Sequence, residues 1–279
     1  IYAKLYLFLK SIAFQPLISH ISNPTSQISH LQTIFNPMFN LSMAISYLKH
    51  WFKAKTRHGV HSPFVYRLLD EVIYDFRAKT DYQEIERFRE ALLHDDRNHN
   101  LVNKQSLISA RLAQLIYRLV ADLKPGQIIE LGAFKGITTA YLAKAAPGAS
   151  INSIAGNSEA FTGIKEVLQE LNLHNVELHS GNVDELLPEL IREIPELDFI
   201  LIDGNHSKTA ILNYFKYCLP KMSNHSMMIF EDIYRSREMR SAWEEVKSNP
   251  EVSVTIDLFW MGLVFVRRAQ RKEDFKIRF

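Results

Sequence analysis

From Leu107 onward the chain alternates between two hydrophobic periods. Leu112, Leu115, Ile116, Leu119 and Leu123 recur at helical spacing, and Lys124-Pro125-Gly126 stops the pattern, which predicts an amphipathic helix. Five short apolar runs follow: QIIEL, SINSIA, NVELH, DFILID and SMMIF. Between them lie helical stretches beginning near Ile137, Glu159, Asp184, Lys208 and Arg237. Strands that alternate with helices of this length require right-handed crossovers, hence a parallel sheet with helices on both faces. The last two apolar runs, VSVTIDLFW and LVFVRR, have only Met261-Gly262 between them. Parallel strands cannot be joined so tightly, so this pair reads as an antiparallel hairpin. The expected fold class is therefore α/β, with a mostly parallel, seven-stranded, Rossmann-like sheet ending in that hairpin. Trp243 shares a helical face with Met239 and Val246 and reads as core.

The region before Leu107 is patterned differently. Residues 1–42 are rich in Ser, Asn, Gln, His and Ile, are interrupted by Pro16, Pro24 and Pro37, and contain no Gly or acidic residue. They read as an extension, disordered or not native, with Met43 as the natural start. The first stretch, IYAKLYLFLKSIAF, is broken by Lys4 and Lys10 and is too short to span a bilayer. No stable membrane insertion is expected, and a peripheral anchor is the alternative. Residues 43–103 read as a basic, aromatic helical segment acting as a lid. There Ser62 is placed to cap a helix that has Pro63 at its first position. His58 and His61 read as solvated loop residues. Residues 104–279 form the main domain.

Composition narrows the function. The chain has 279 residues, 47% hydrophobic and 23% charged, within the ordinary globular class. Its 33 basic and 31 acidic residues leave a net charge of +2, no electrostatic footprint for nucleic acid, so a small-molecule substrate is expected. Cys218 has no second cysteine to pair with, which suits a reduced, cytoplasmic protein. A homodimer is left open.

In an open α/β sheet, ligands bind beyond the carboxyl ends of the strands, so the strand ends carry the chemistry. The first reads Glu130-Leu131-Gly132-Ala133-Phe134-Lys135-Gly136-Ile137-Thr138. Gly132 and Gly136 permit a tight turn and close approach of backbone to a ligand. A dinucleotide fingerprint would need glycine where Phe134 and Ile137 stand, and Glu130 would repel phosphates. A ligand with a cationic amino-acid end suits the loop better.

This stretch, ELGAFKGIT, resembles the first motif of the class I S-adenosylmethionine-dependent methyltransferases, in the form used by catechol and related O-methyltransferases. With the alternating strands, the hairpin and the later strand ends, the resemblance extends over about residues 104–267. RHGVHSPF and DLFWMGLVFVRR also resemble a bacterial branch of that family. The resemblance implies a Rossmann-like methyltransferase fold with S-adenosylmethionine held over the first strands by Glu130, Gly132, Ala133, Phe134, Gly136, Asn157, Asn182 and Asp203.

The remaining strand ends both support and depart from this pattern. The family usually has an acid for the ribose hydroxyls at the second strand end, where this chain has Ala155, and Asn157 is the substitute. At the third, Asn182 is either a contact for the adenine edge or a helix cap. At the fourth, Asp203-Gly204-Asn205-His206-Ser207-Lys208-Thr209 superficially suggests a phosphate loop, but it has one glycine and too few residues before Lys208. Asp203 and His206 instead resemble the Asp-Gly-x-His of metal-dependent sugar and macrolide O-methyltransferases. The fifth strand end carries Glu231-Asp232, and with Asp203 these give three oxygen ligands for a divalent ion such as Mg²⁺. The alternative is one acid capping the next helix and the other solvated. The expected reaction is methyl transfer to a hydroxyl of a small molecule, with Asp203 and His206 catalytic and His206 the base. A metal-independent N- or O-methyltransferase and a catalytically degenerate binding protein are the alternatives.

Overall fold

The computed structural model describes residues 41–94 and 107–279. The expectation for residues 1–42 therefore lies almost wholly outside the described residues. The chain divides into two compact units, residues 1–48 and 49–279. In the first, the described residues belong to helix α1 (Leu41–Lys53), whose last turn falls in the second unit.

The second unit opens with α2 (Pro63–Leu68), which continues as a wider turn through Ile73, and α3 (Thr80–His94). Pro63 stands in the first turn as the sequence suggests. Ser62, however, makes no cap bond, and its hydroxyl accepts from Gln270 Nε2 at 3.0 Å instead. The amphipathic helix is α4 (Ala110–Leu123). Ser109 caps it by accepting from the Leu112 amide, and Lys124, at φ 53°, ends it.

The alternating region follows its hydrophobic blocks closely. It comprises β1 (Gln127–Ala133), α5 (Ile137–Ala145), β2 (Ser150–Ala155), α6 (Ser158–Glu170), β3 (Val176–Ser180) and α7 (Val183–Glu193). These are followed by β4 (Leu197–Ile202), α8 (Lys208–Cys218), β5 (Met222–Glu231) and α9 (Arg237–Ser248). Successive residues of β4 serve opposite faces. Phe199 and Leu201 join the core under α2, α4 and α5, while Ile200 and Ile202 join the one under α7, α8 and α9. A strand covered on both faces must be apolar throughout, which explains the unbroken run in the sequence.

The hairpin is present, but its turn lies three residues earlier than expected. β6 (Val254–Asp257) and β7 (Met261–Phe265) are joined by Leu258-Phe259-Trp260. Phe259 takes φ 73°, and its amide donates to Asp257 Oδ1 at 2.9 Å. Gly262 is inside β7, where a Cβ would stand 2.6 Å from the buried Trp243 ring. This glycine makes room for the tryptophan rather than making a turn.

Among the described residues the sheet has eight strands, not seven, in the order β3-β2-β1-β4-β5-β7-β6-β8. The added strand, β8 (Glu273–Lys276), runs parallel to β6. Its sequence is mainly polar, because on an edge only Phe275 faces the core. Lys55 extends that edge by bridging to Ile277.

Candidate active site

The strand order reverses between β1 and β4, so their carboxyl ends diverge into a crevice. Glu130, Gly132, Ala133, Phe134 and Asp203 border one cleft there, with Leu107, Ile108 and Thr138 on its remaining wall. Sequence reasoning found the first group and missed the second, since Leu107 and Ile108 reach the site only through folding.

The glycines of the first strand end make close packing contacts. Gly132 has φ 82°, and a Cβ there would lie 1.5 Å from the Asp203 carbonyl oxygen. It lets the main chains of the two strand ends nest, with Asp203 N–H donating to Leu131 O at 2.9 Å. Gly136, at φ 74°, makes room for Val167 of α6, 2.9 Å from where its Cβ would stand. Both therefore serve internal packing.

Glu130 is buried, and its Oε2 accepts from Thr139 Oγ1 at 2.7 Å and Ser153 Oγ at 2.6 Å. Burial raises its pKa, and the two hydroxyl donors offset part of that rise. Ser153, a polar residue in the apolar run SINSIA, was the sequence signal for this contact. Phe134 remains 39% exposed beside the cleft. Lys135 folds back over its ring and pairs with Glu159 at 3.2 Å.

The two asparagines are helix caps. Asn157 Oδ1 accepts from the Ala160 amide at 2.8 Å, and Asn182 Oδ1 from the Asp184 amide at 3.0 Å. Neither borders the cleft with Gly132. Ala155 is wholly buried in an apolar cluster with Ala133, Ala160 and Ile164. A carboxylate at that position would sit among those side chains.

Asp203, Glu231 and Asp232 sense one another's charge without forming a ligand set. Burial, then the charges of Asp232 and Glu130, pushes Asp203 up to about 7. Burial, then Asp203 and Asp232, raises Glu231 well above the usual carboxylate range, and its Oε1 is buried with no hydrogen-bond partner. Asp232, at φ 54°, turns away: its amide donates to Trp260 O at 2.7 Å and its Oδ2 accepts from Arg235 Nη1 at 2.9 Å. Among the described residues no group of three or more His, Cys, Asp or Glu side chains is arranged to hold a metal ion. Asp232 instead pairs with Arg235. His206 is partly buried, and burial and then the Arg235 charge lower its pKa against the opposing pull of Asp232.

Comparison with known proteins agrees with this architecture. Residues 129–233 match the model of a family described as a methyltransferase domain. No curated protein sequence matches the chain significantly. Among solved structures, a Podospora anserina methyltransferase bound to S-adenosylhomocysteine is similar, with 13% identity and a TM-score of 0.57 over 77% of this chain and 97% of that one. A Bacillus cereus O-methyltransferase in complex with S-adenosylhomocysteine has 17% identity and a TM-score of 0.54, over 75% of this chain and all of that one (100%). A Streptomyces achromogenes O-methyltransferase of tomaymycin synthesis, in complex with S-adenosylmethionine, has 19% identity and a TM-score of 0.53, over 76% and 99%.

Proposed function

We propose that the chain, whose residues 129–233 match a methyltransferase-domain model and whose fold is that of solved methyltransferases, transfers a methyl group from S-adenosylmethionine to a hydroxyl of a small molecule. The observation that carries this reading is the cleft at the β1/β4 switch point, whose floor is acidic. Glu130 and Asp203 suit a ligand with a positively charged end and repel a pyrophosphate. When bound there, S-adenosylmethionine supplies a methyl group on a positively charged sulfur.

The chain's own contribution is positioning and proton removal. Phe134, Leu107 and Ile108 give the cleft apolar walls. His206 stays neutral near pH 7 because burial and Arg235 disfavour its charged form, so an imidazole nitrogen is free to take the acceptor's hydroxyl proton. Asp203, titrating near 7, holds negative charge at the cleft floor from neutral pH upward. With Asp232 engaged by Arg235, proton removal is assigned to His206.

Calorimetry with S-adenosylhomocysteine and with NAD tests the reading: the first should bind and the second should not. Binding of NAD alone would overturn it. With an acceptor in hand, turnover should survive a chelator, and His206→Ala should slow it by about 10²–10⁴-fold with cofactor affinity kept. Activity abolished by chelator and restored by Mg²⁺ would restore the carboxylate metal centre.

A further inference from the structure

The near-neutral total of charges hides an uneven distribution. Seven of the 33 basic residues and none of the 31 acidic ones precede Asp70. Positive charge concentrated in one part of a chain points to a partner of negative charge. The structure places some of that charge at the end of helix α1 and just after it.

The inner side of this helix end is committed to the domain. His50 is buried, its Nε2 lies 3.0 Å from Asp257 Oδ1, and its ring meets Tyr234 and Phe259 edge-on. The Arg278 guanidinium lies 4.3 Å from the centre of the Trp51 ring and donates to the Trp51 carbonyl at 3.0 Å. These contacts fix the rotation of the helix about its axis, so the other side faces outward. That side carries Lys49, Phe52 and Lys53, all exposed, Phe52 to 76%. Ile45, 43% exposed, stands four residues before Lys49 and seven before Phe52, the spacing of one helical face. Lys55 follows and is also exposed, whereas Arg57 is engaged by Asp70.

Single exposed apolar residues are ordinary, but here two lie in line with lysines beside them and no acid on the face. Such a face has two requirements: its apolar groups gain by leaving water, and its ammonium groups gain by meeting anions. A duplex nucleic acid meets the charge alone, and a second copy of the same face brings like charges together. A bilayer with anionic headgroups meets both, since apolar side chains enter the boundary between headgroups and acyl chains while lysine stems reach back to the phosphates. We propose that the outer side of α1 lies on the surface of a membrane containing anionic phospholipid, with Ile45 and Phe52 in that boundary and Lys49, Lys53 and Lys55 at the headgroups. The stretch IYAKLYLFLKSIAF, apolar with Lys4 and Lys10 as its only charges, has the same chemistry. The inference is independent of the methyltransferase reading.

Cosedimentation of the full chain with lipid vesicles tests it. Vesicles of phosphatidylcholine with about 30% phosphatidylglycerol should carry the protein down, pure phosphatidylcholine vesicles should not, and salt at about 0.5 M should release most of it. Replacing both lysines, Lys49→Gln with Lys53→Gln, should weaken binding about 10- to 30-fold, and Phe52→Ser about 10-fold. Circular dichroism checks that each variant keeps the fold of the unaltered chain, and one folded variant is enough to decide. Equal capture by neutral vesicles, no capture by either kind, or undiminished binding by a folded variant would overturn the proposal. A dimer in analytical ultracentrifugation that Phe52→Ser dissociates would assign the face to a second copy and overturn it too. So would binding to a DNA duplex tighter than to the anionic vesicles and lost only in the lysine variant.

Discussion

At the scale of single residues, the carboxylates behind the cleft store unfavourable charge. Asp203 is the one with a testable sign. Its pKa rises from 3.8 to about 7 on folding, so the folded state favours the protonated form. The associated stability is present in full below the unfolded value and is lost as pH rises through 7. Asp203→Asn, which keeps the neutral form at all pH values, should match the unaltered protein below about pH 4 and gain on it progressively as pH rises from there to 7. It should be more stable at pH 8, by roughly 1–4 kcal/mol. Urea melts of the ligand-free protein at about pH 3.5, 5 and 8 measure it; a difference independent of pH would mean that Asp203 ionises freely. That carboxylates gather here was legible from Asp203 and Glu231-Asp232 at two strand ends. That Asp232 turns to Arg235 was not, because it goes with a φ of 54° and a main-chain hydrogen bond to Trp260, 28 residues on.

At the scale of elements, the join between β1 and β4 determines whether a cleft exists. The sequence marks Gly132 as special, but the reason lies in a strand about 70 residues away (from Gly132 to Asp203). With a Cβ 1.5 Å from a main-chain oxygen, Gly132→Ala must push the two strand ends apart. The expected outcome is loss of S-adenosylhomocysteine binding and destabilisation by about 3 kcal/mol or more, with helical circular dichroism largely retained. Gly148→Ala, which meets nothing within 4 Å, is the control and should change stability by less than about 1 kcal/mol. Normal ligand binding by Gly132→Ala would show that the strand ends adjust without disturbing the site.

At the scale of the molecule, Asp257 links distant parts of the chain. It accepts from Tyr234 at 2.7 Å and the Phe259 amide at 2.9 Å, pairs with His50 at 3.0 Å and lies 3.5 Å from Lys276. These partners come from the end of α1, the segment after β5, the hairpin turn and the edge strand β8. Burial alone would raise its pKa, but the hydrogen bonds and charge of His50 and the Tyr234 hydrogen bond lower it below 3.8. For a depressed acid, the stabilisation is present above the unfolded pKa and disappears as pH falls through the folded one. Asp257→Ala should therefore cost about 3–5 kcal/mol at pH 7, and the gap to the unaltered protein should narrow in melts below pH 4. A gap that persists at pH 3 would attribute the loss to packing rather than charge.

The sequence by itself determined the alternation of strands and helices, the helix cap that is one of the two readings of Asn182, and the strand ends that carry Glu130, Asp203 and Glu231. Each depends on contacts within a few residues: apolar periodicity, a side chain reaching its own helix's amides, or the punctuation of Gly and Pro. The tertiary structure decided the eighth strand, the turn at Leu258-Phe259-Trp260, the packing role of Gly132 and the direction of Asp232. β8 has four residues and one core-facing side chain, too weak a local pattern to identify without β6 beside it. Arg89 and Ile108 meet across 19 positions of sequence, and Asp257 and His50 across 207. Such distances are set by how the helices pack on the sheet, which a one-dimensional hydrophobic pattern does not encode.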